Sequence, residues 1–316
     1  MSNRHSRWKS SLAALSLAAL LSPAWAAAAQ RPLGSGSKGP DVVKAQILLD
    51  RAWFSSGEID GRFSTNLRRA VLAYQRAQGL RATGKVDGAT WTALQADAAP
   101  PFIDYTVTAQ DADGPFARIP KDPMARAQLK SLDYESVQEA LAERFHMSQG
   151  LLTSLNRGKR FKAGDVVSVA NVGDAAAPKG ARSVQIDKSE RLLMVLDAGD
   201  KVVAAFPVSI GGPRDPLPVG KLKIVNEVQN PSFTYDPALL KSASKDHEKV
   251  EMKPGPNNPV GTMWLGLSKP HWGIHGTPDP ARLGREETNG CVHMTNWDAR
   301  RLSTLARVGT VVDVRP

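Results

Sequence analysis

The strongest constraint on the fold is a change of hydrophobic period along the chain. Before residue 99, apolar residues fall at helical spacing. Val42, Ala45 and Leu49 share one face, and Leu67, Ala70, Val71 and Tyr74 follow the i, i+3, i+4, i+7 pattern. After residue 180 they alternate or run together, as in Val184 and Ile186, Leu192 to Leu196, and Val202 to Val208. One segment cannot satisfy both periods, because they aim different residues at the core. The chain must therefore divide. Two stretches without apolar period, QADAAPP at 95–101 and DAAAPKGA at 174–181, mark the divisions. With 316 residues there is material for two or three cores. The expected architecture is multidomain α+β, with segments at 33–99, 102–172 and 180–316.

Ahead of them, residues 1–26 read as a secretory signal peptide. Arg4, Arg7 and Lys9 precede an apolar run from Leu12 to Leu21, then Pro23 and the triplet Ala24-Trp25-Ala26. The run is short of the ~20 apolar residues that a bilayer span needs, and no later segment reaches that length. The chain is thus expected in the periplasm or cell envelope, with no membrane span after cleavage. Its only cysteine, Cys291, cannot form an internal disulfide. In an oxidising compartment it is either a buried small hydrophobe or a thiol with a task. The net charge of +10 suits any polyanion and does not choose among them.

In the first segment, Ser64 and Thr65 can cap the second helix, and Tyr74 and Trp91 read as core. The run IDGRFSTNLRRAVLAYQRAQGLRATGKVDGATWTAL resembles the three-helix peptidoglycan-binding domain. In the second segment, YTVTAQD opens a strand and two helical stripes follow. These are Val137, Ala140, Leu141 and Phe145, then Leu151, Leu152 and Leu155. The turn Lys162-Ala163-Gly164-Asp165 leads into a last strand. This βααβ order, with FKAGDVV, resembles a divergent LysM domain, which would bind glycan strands. His146 ends a stripe and reads as incidental. The third segment reads as a mainly-β sandwich. Strands are expected near 221–225, 262–267, 273–275 and 310–314. One helix is expected at 296–306, capped by Thr295 with Asp298 three residues on.

Chemistry gathers in three pieces of that segment: His275-Gly276-Thr277, Thr288-Asn289-Gly290-Cys291-Val292-His293, and Asn296-Trp297-Asp298. A cysteine nucleophile reacts as its thiolate, and a free thiol of pKa ~8.5 is mostly protonated at neutral pH. A nearby imidazole can act as base and as stabilising cation. A backbone carbonyl suffices to fix the ring's tautomer. A glycine before the nucleophile frees the local φ and leaves amide N–H groups open to an oxyanion. Cys291 and His275 are sixteen positions apart, so only the fold can pair them. His271 and His275 have the spacing of a helical zinc pair, but Pro270, Gly273 and Gly276 oppose a helix there, and no metal or other cofactor is expected.

The run NPVGTMWLGLSKPHWGIHGTPDPARLGREETNGCVHMTNWDARRL resembles the catalytic domain of YkuD-type L,D-transpeptidases, as does GGPRDPLPVGKLKI before it. The resemblance implies a cysteine acyltransferase acting on peptidoglycan stem peptides, with Cys291 as nucleophile and His275 as general base. It also implies that Gly276 offers a carbonyl to the imidazole and that Gly290 and Cys291 supply oxyanion N–H groups. The chain departs from the family pattern twice. Asn289 replaces a histidine and can donate a hydrogen bond but not shuttle a proton. His293 replaces an arginine, and both positions are expected to contact substrate. The implied partners are stem peptides, glycan strands and an envelope protein as a further acceptor, not nucleic acid. The alternatives are an L,D-carboxypeptidase or crosslink-cleaving hydrolase on the same scaffold, and a non-catalytic wall-binding scaffold.

Overall fold

The computed structural model describes residues 31–316, except 174, 240–243 and 245. The expected signal peptide at 1–26 lies outside the described residues. The first segment forms α1 (Pro40–Arg51), α2 (Thr65–Ala77) and α3 (Gly88–Leu94). Ser64 caps α2 by accepting the Leu67 N–H, and Asp87 caps α3 by accepting that of Thr90. Val42, Leu49, Leu67, Val71, Tyr74 and Trp91 share a core, as their spacing predicts. That core also includes Leu192 and Ala205 of the third segment.

The second segment comprises β1 (Phe102–Thr106), α4 (Ala109–Asp113), α5 (Pro123–Ala127), α6 (Val137–Arg144), α7 (Gln149–Leu155) and β2 (Val166–Ala170). β1 and β2 pair antiparallel, from Phe102 opposite Ala170 to Thr106 opposite Val166. The βααβ outline is carried by β1, α6, α7 and β2. The single-turn helices α4 and α5 are additions in a stretch whose Pro and Gly residues hide any helical period.

The third segment contains β3 (Ser183–Asp187), β4 (Leu192–Leu196), β5 (Val202–Pro207), β6 (Ile210–Gly211), β7 (Gly220–Gln229), β8 (Phe233–Tyr235) and β9 (Val250–Met252). It continues with β10 (Met263–Leu267), β11 (Gly273–His275), β12 (Glu287–Thr288), β13 (Val292–His293), α8 (Asn296–Leu305) and β14 (Val311–Arg315). Eight strands bond in the order β13-β11-β10-β7-β14-β3-β4-β5, while β6 pairs with β12 and β8 with β9. Where the sequence predicts a mainly-β sandwich, the structure has an eight-stranded mixed sheet. Its long strand β7 joins both halves, pairing β14 through 220–223 and β10 through 224–229. Val184, Ile186 and Phe206 from one half and Leu265, Ile274 and Val292 from the other share a core with Ala299 and Leu302 of α8. Thr295 caps α8 by accepting the Asp298 N–H at 3.0 Å.

The stretch at 95–101 is held rather than loose. Buried Arg51 at the end of α1 bonds Asp97 at 2.6 Å and donates to the carbonyls of Ala99, Pro100 and Asn171. Residues 53–55 also extend the sheet: Ser55 N–H donates to Ala205 O, and Ala205 N–H to Trp53 O, both at 2.9 Å. This pairing covers the β5 edge, which would otherwise expose unpaired backbone groups.

His146 is not incidental. It is buried, its Nδ1 lies 3.1 Å from both Asp50 oxygens, and its ring stacks on Trp297 at 5.1 Å and 9°. Arg301 Nη1 reaches Asp50 Oδ1 at 2.8 Å. Each of the three segments thus supplies one member of a cluster centred on the buried Asp50 carboxylate. Burial alone would push the Asp50 carboxyl up, but Arg301 and His146 outweigh it and hold it below the usual carboxylate range.

Candidate active site

β11 and β13 lie parallel, with Ile274 opposite Val292 and His275 opposite His293. Side chains alternate along a strand, so the register decides which residues share a face. Ile274 and Val292 go into the core. The alternation sets His275 and His293 on the other face, where their ring centroids are 4.5 Å apart. Cys291 immediately precedes β13, two residues from His293, in the bend that leads into the strand. The structure thus brings Cys291, His275 and His293 to one end of the sheet.

The Cys291 thiol faces the turn before β11, where its Sγ lies 3.6 Å from the His271 carbonyl. The His271 ring takes no part in that contact. Thr288 fixes the loop: its Oγ1 donates to Cys291 O at 2.6 Å and accepts the Gly290 N–H at 3.3 Å. Gly290 has φ +115°, the left-handed region that favours glycine, and a Cβ there would make a tight 3.0 Å contact with the Trp272 ring. Asn289 is exposed at the turn beside it.

His275 is almost fully buried, and its Nδ1 lies 2.7 Å from Gly276 O. A carbonyl only accepts, so Nδ1 carries the proton and Nε2 is left as a free base. Trp264 stacks on the other side of the ring, with centroids 5.4 Å apart and planes at 16°. A Cβ at Gly273 would lie 2.5 Å from that indole, so the glycine makes room for the ring that packs the histidine.

Burial dominates the electrostatics. It pushes His275 down to about 4, although the Gly276 carbonyl works in the opposite direction. It pushes the Cys291 thiol up, opposed by the Gly273 backbone. It also drives His293 well below the usual imidazole range, helped by neighbouring His275. Among the described residues His293 Nδ1 has no hydrogen-bond partner, and the nearest Glu286 oxygen is 4.0 Å away. At neutral pH the resting site therefore holds a thiol and two neutral rings. Burial thus disfavours the charged thiolate–imidazolium pair in the resting site. Alkylation of Cys291 by iodoacetamide is accordingly expected to be slow at neutral pH. It should climb through the alkaline range without the acid-side plateau that a thiolate–imidazolium pair produces. A pH series of rates measures this, and a plateau reaching down to mildly acidic pH would contradict it.

Sequence reasoning singled out the residues of this cluster but missed Thr288 as the loop clamp and Trp264 as the stacking partner. Both lie within the motif-bearing stretch. Nothing in the spacing announces a tryptophan that must lie over a glycine. A groove of about 490 Å³ elsewhere on the protein is lined by Glu58, Arg62 and Asn66 of the first segment, Ser148 and Ser154 of the second, and Arg285 of the third.

Residues 181–314 match the family described as "L,D-transpeptidase catalytic domain" (YkuD), and residues 38–94 match "Putative peptidoglycan binding domain". Among curated relatives, "Putative L,D-transpeptidase YkuD" of Bacillus licheniformis is 31% identical over 117 residues, covering 37% of this chain and 56% of the relative. "Putative L,D-transpeptidase in ATP synthase subunits region ORF 5" of Fuscovulum blasticum is 35% identical over 109 residues, covering 34% of this chain and 56% of the relative. The chain thus spans just over half the length of these relatives. A solved L,D-transpeptidase from Xylanimonas cellulosilytica (residues 123–326) is 16% identical, covering 91% of this chain and 98% of that one, with a TM-score of 0.39. The chain therefore carries a YkuD-type L,D-transpeptidase catalytic domain with a peptidoglycan-binding domain N-terminal to it.

Proposed function

We propose that this protein is an exported peptidoglycan L,D-transpeptidase of the periplasm or cell envelope, working through a Cys291 thioester. The observation that carries the reading is His275 Nδ1 lying 2.7 Å from Gly276 O, which leaves Nε2 without a proton, on a strand paired with the one that Cys291 leads into. In the proposed reaction the Cys291 sulfur attacks the carbonyl of the third residue of a tetrapeptide stem. The thiol proton passes to His275 Nε2. As the C–N bond breaks, that proton passes to the departing amine, which leaves as D-alanine. An acceptor amine then attacks the thioester, returns the thiol and forms a 3-3 crosslink or an attachment to an envelope protein.

The backbone N–H groups of Gly290 and Cys291 are the proposed oxyanion donors. For Gly290 this means exchanging a long bond to Thr288 for the charged oxygen. Asn289 and His293 are the proposed substrate contacts, with His293 acting as a neutral donor rather than the permanent cation an arginine would supply. Residues 33–99 would bind peptidoglycan. The βααβ outline of 102–172 supports glycan binding by a LysM-like segment, and the groove shared by all three segments offers hydroxyl, carboxylate and guanidinium groups to a wall polymer. No helix among the described residues is long and apolar enough to cross a membrane.

Incubation with a purified tetrapeptide muropeptide tests this reading. The expected result is release of D-alanine together with a crosslinked dimer. Release without dimer would replace the transpeptidase with an L,D-carboxypeptidase on the same scaffold. Co-sedimentation with sacculi but no release would favour a wall-binding scaffold.

A further inference from the structure

Asn296, the first residue of α8, is fully buried and has no part in the chemistry above. Its side-chain oxygen accepts the Thr262 N–H at 3.1 Å. Its side-chain nitrogen donates to Pro256 O and to both oxygens of Glu143, each at 3.1 Å. The amide is wedged between two glycines: a Cβ at Gly276 would lie 2.1 Å from Asn296 Oδ1, and one at Gly261 only 2.0 Å. Gly276 is the residue whose carbonyl accepts the His275 Nδ1–H. The Asn296 amide therefore backs the backbone unit that sets the tautomer of His275.

The direction of that amide is fixed from both sides. Thr262 presents a donor and so demands the amide oxygen, while the Pro256 carbonyl only accepts and, with the Glu143 oxygens, takes the nitrogen. A flipped amide would set N–H against N–H and oxygen against carboxyl. Glu143 belongs to α6 of the middle segment, is buried, and is itself held by a 3.0 Å hydrogen bond from Tyr134 Oη. The contact joins residues 153 positions apart.

We propose that Glu143 and Asn296 are positioning residues for His275: the middle segment, through Glu143, holds the Asn296 amide against Gly276 and so keeps the imidazole in its Nδ1–H form. The proposal rests on the reading of His275 as the base, but its main readout does not depend on turnover. In the full chain, ¹⁵N NMR of the His275 ring is expected to show one protonated and one bare nitrogen. Glu143→Ala and Asn296→Ala should each give averaged ring-nitrogen shifts. They should also slow Cys291 acylation by a carbapenem about tenfold or more, as expected when a base loses its orientation. Glu143→Gln keeps a carbonyl acceptor for the amide and should restore the single tautomer. Ser55→Ala removes a different contact between segments, the 2.8 Å bond to Asp298, and should lower Tm without changing the His275 signals. Unchanged tautomer and acylation rate in both alanine variants, folded by near-UV circular dichroism, would overturn the proposal. A shifted tautomer with unchanged acylation would leave the link standing and remove His275 as the base.

Discussion

Replacing His275 with alanine is expected to slow acylation of Cys291 and D-alanine release at least ~10²-fold, the range for loss of a positioned general base. The size follows from the neutral resting site. Burial pushes the thiol up, so little thiolate stands ready, and the proton must leave during attack. The proposed acceptor is a ring with a free Nε2 and a locked tautomer, and His275 has both. His293 lies on the same face, but among the described residues its Nδ1 has no hydrogen-bond partner of the kind that orients His275. His293→Ala should therefore mainly raise the substrate requirement, and His293→Arg should be tolerated. Separate kcat and KM measurements on the three variants decide the matter. If His275→Ala turns over normally while His293→Ala does not, the two roles are exchanged.

Arg301→Ala is expected to be the most damaging single change away from the site, costing about 3–5 kcal/mol, as for breaking a buried ion pair from one side. Asp50 is 1% exposed, and without Arg301 it keeps only His146, whose charging burial opposes. Arg301 also lies over the Trp53 ring at 5.2 Å and donates to Asp50 O, so its loss removes packing and a backbone bond together. A double variant, Asp50→Asn with Arg301→Met, should recover much of the loss because no unpaired charge remains. Urea unfolding midpoints test this, and a loss near zero for Arg301→Ala would mean that water reaches the cluster.

The sequence patterns that carried information were local or repeated. Helical stripes, the Ser64 and Thr295 caps and the alternation after Val184 each rest on neighbours within one or two turns, where spacing and structure are directly linked. The proposed roles of Cys291 and His275 rest on the motif their flanking residues form. What escaped notice depends on contacts distant in sequence. His146 looks idle until Asp50, 96 positions away, closes on it. Arg51 looks like an exposed helix end until it receives Asp97 and three carbonyls. The single sheet depends on β7 serving two partners, which no period in 220–229 encodes. The neutral state of the thiol and rings follows from burial, which the fold alone supplies.

The proposed reaction stands on a thioester at Cys291, which intact-mass spectrometry of the full chain with a tetrapeptide muropeptide would detect. The parent protein should gain one adduct equal to the donor less D-alanine. That adduct should disappear when an acceptor amine is added, and Cys291→Ser should show none. Release of D-alanine by Cys291→Ser at the parent's rate, or an adduct that survives this substitution, would contradict it.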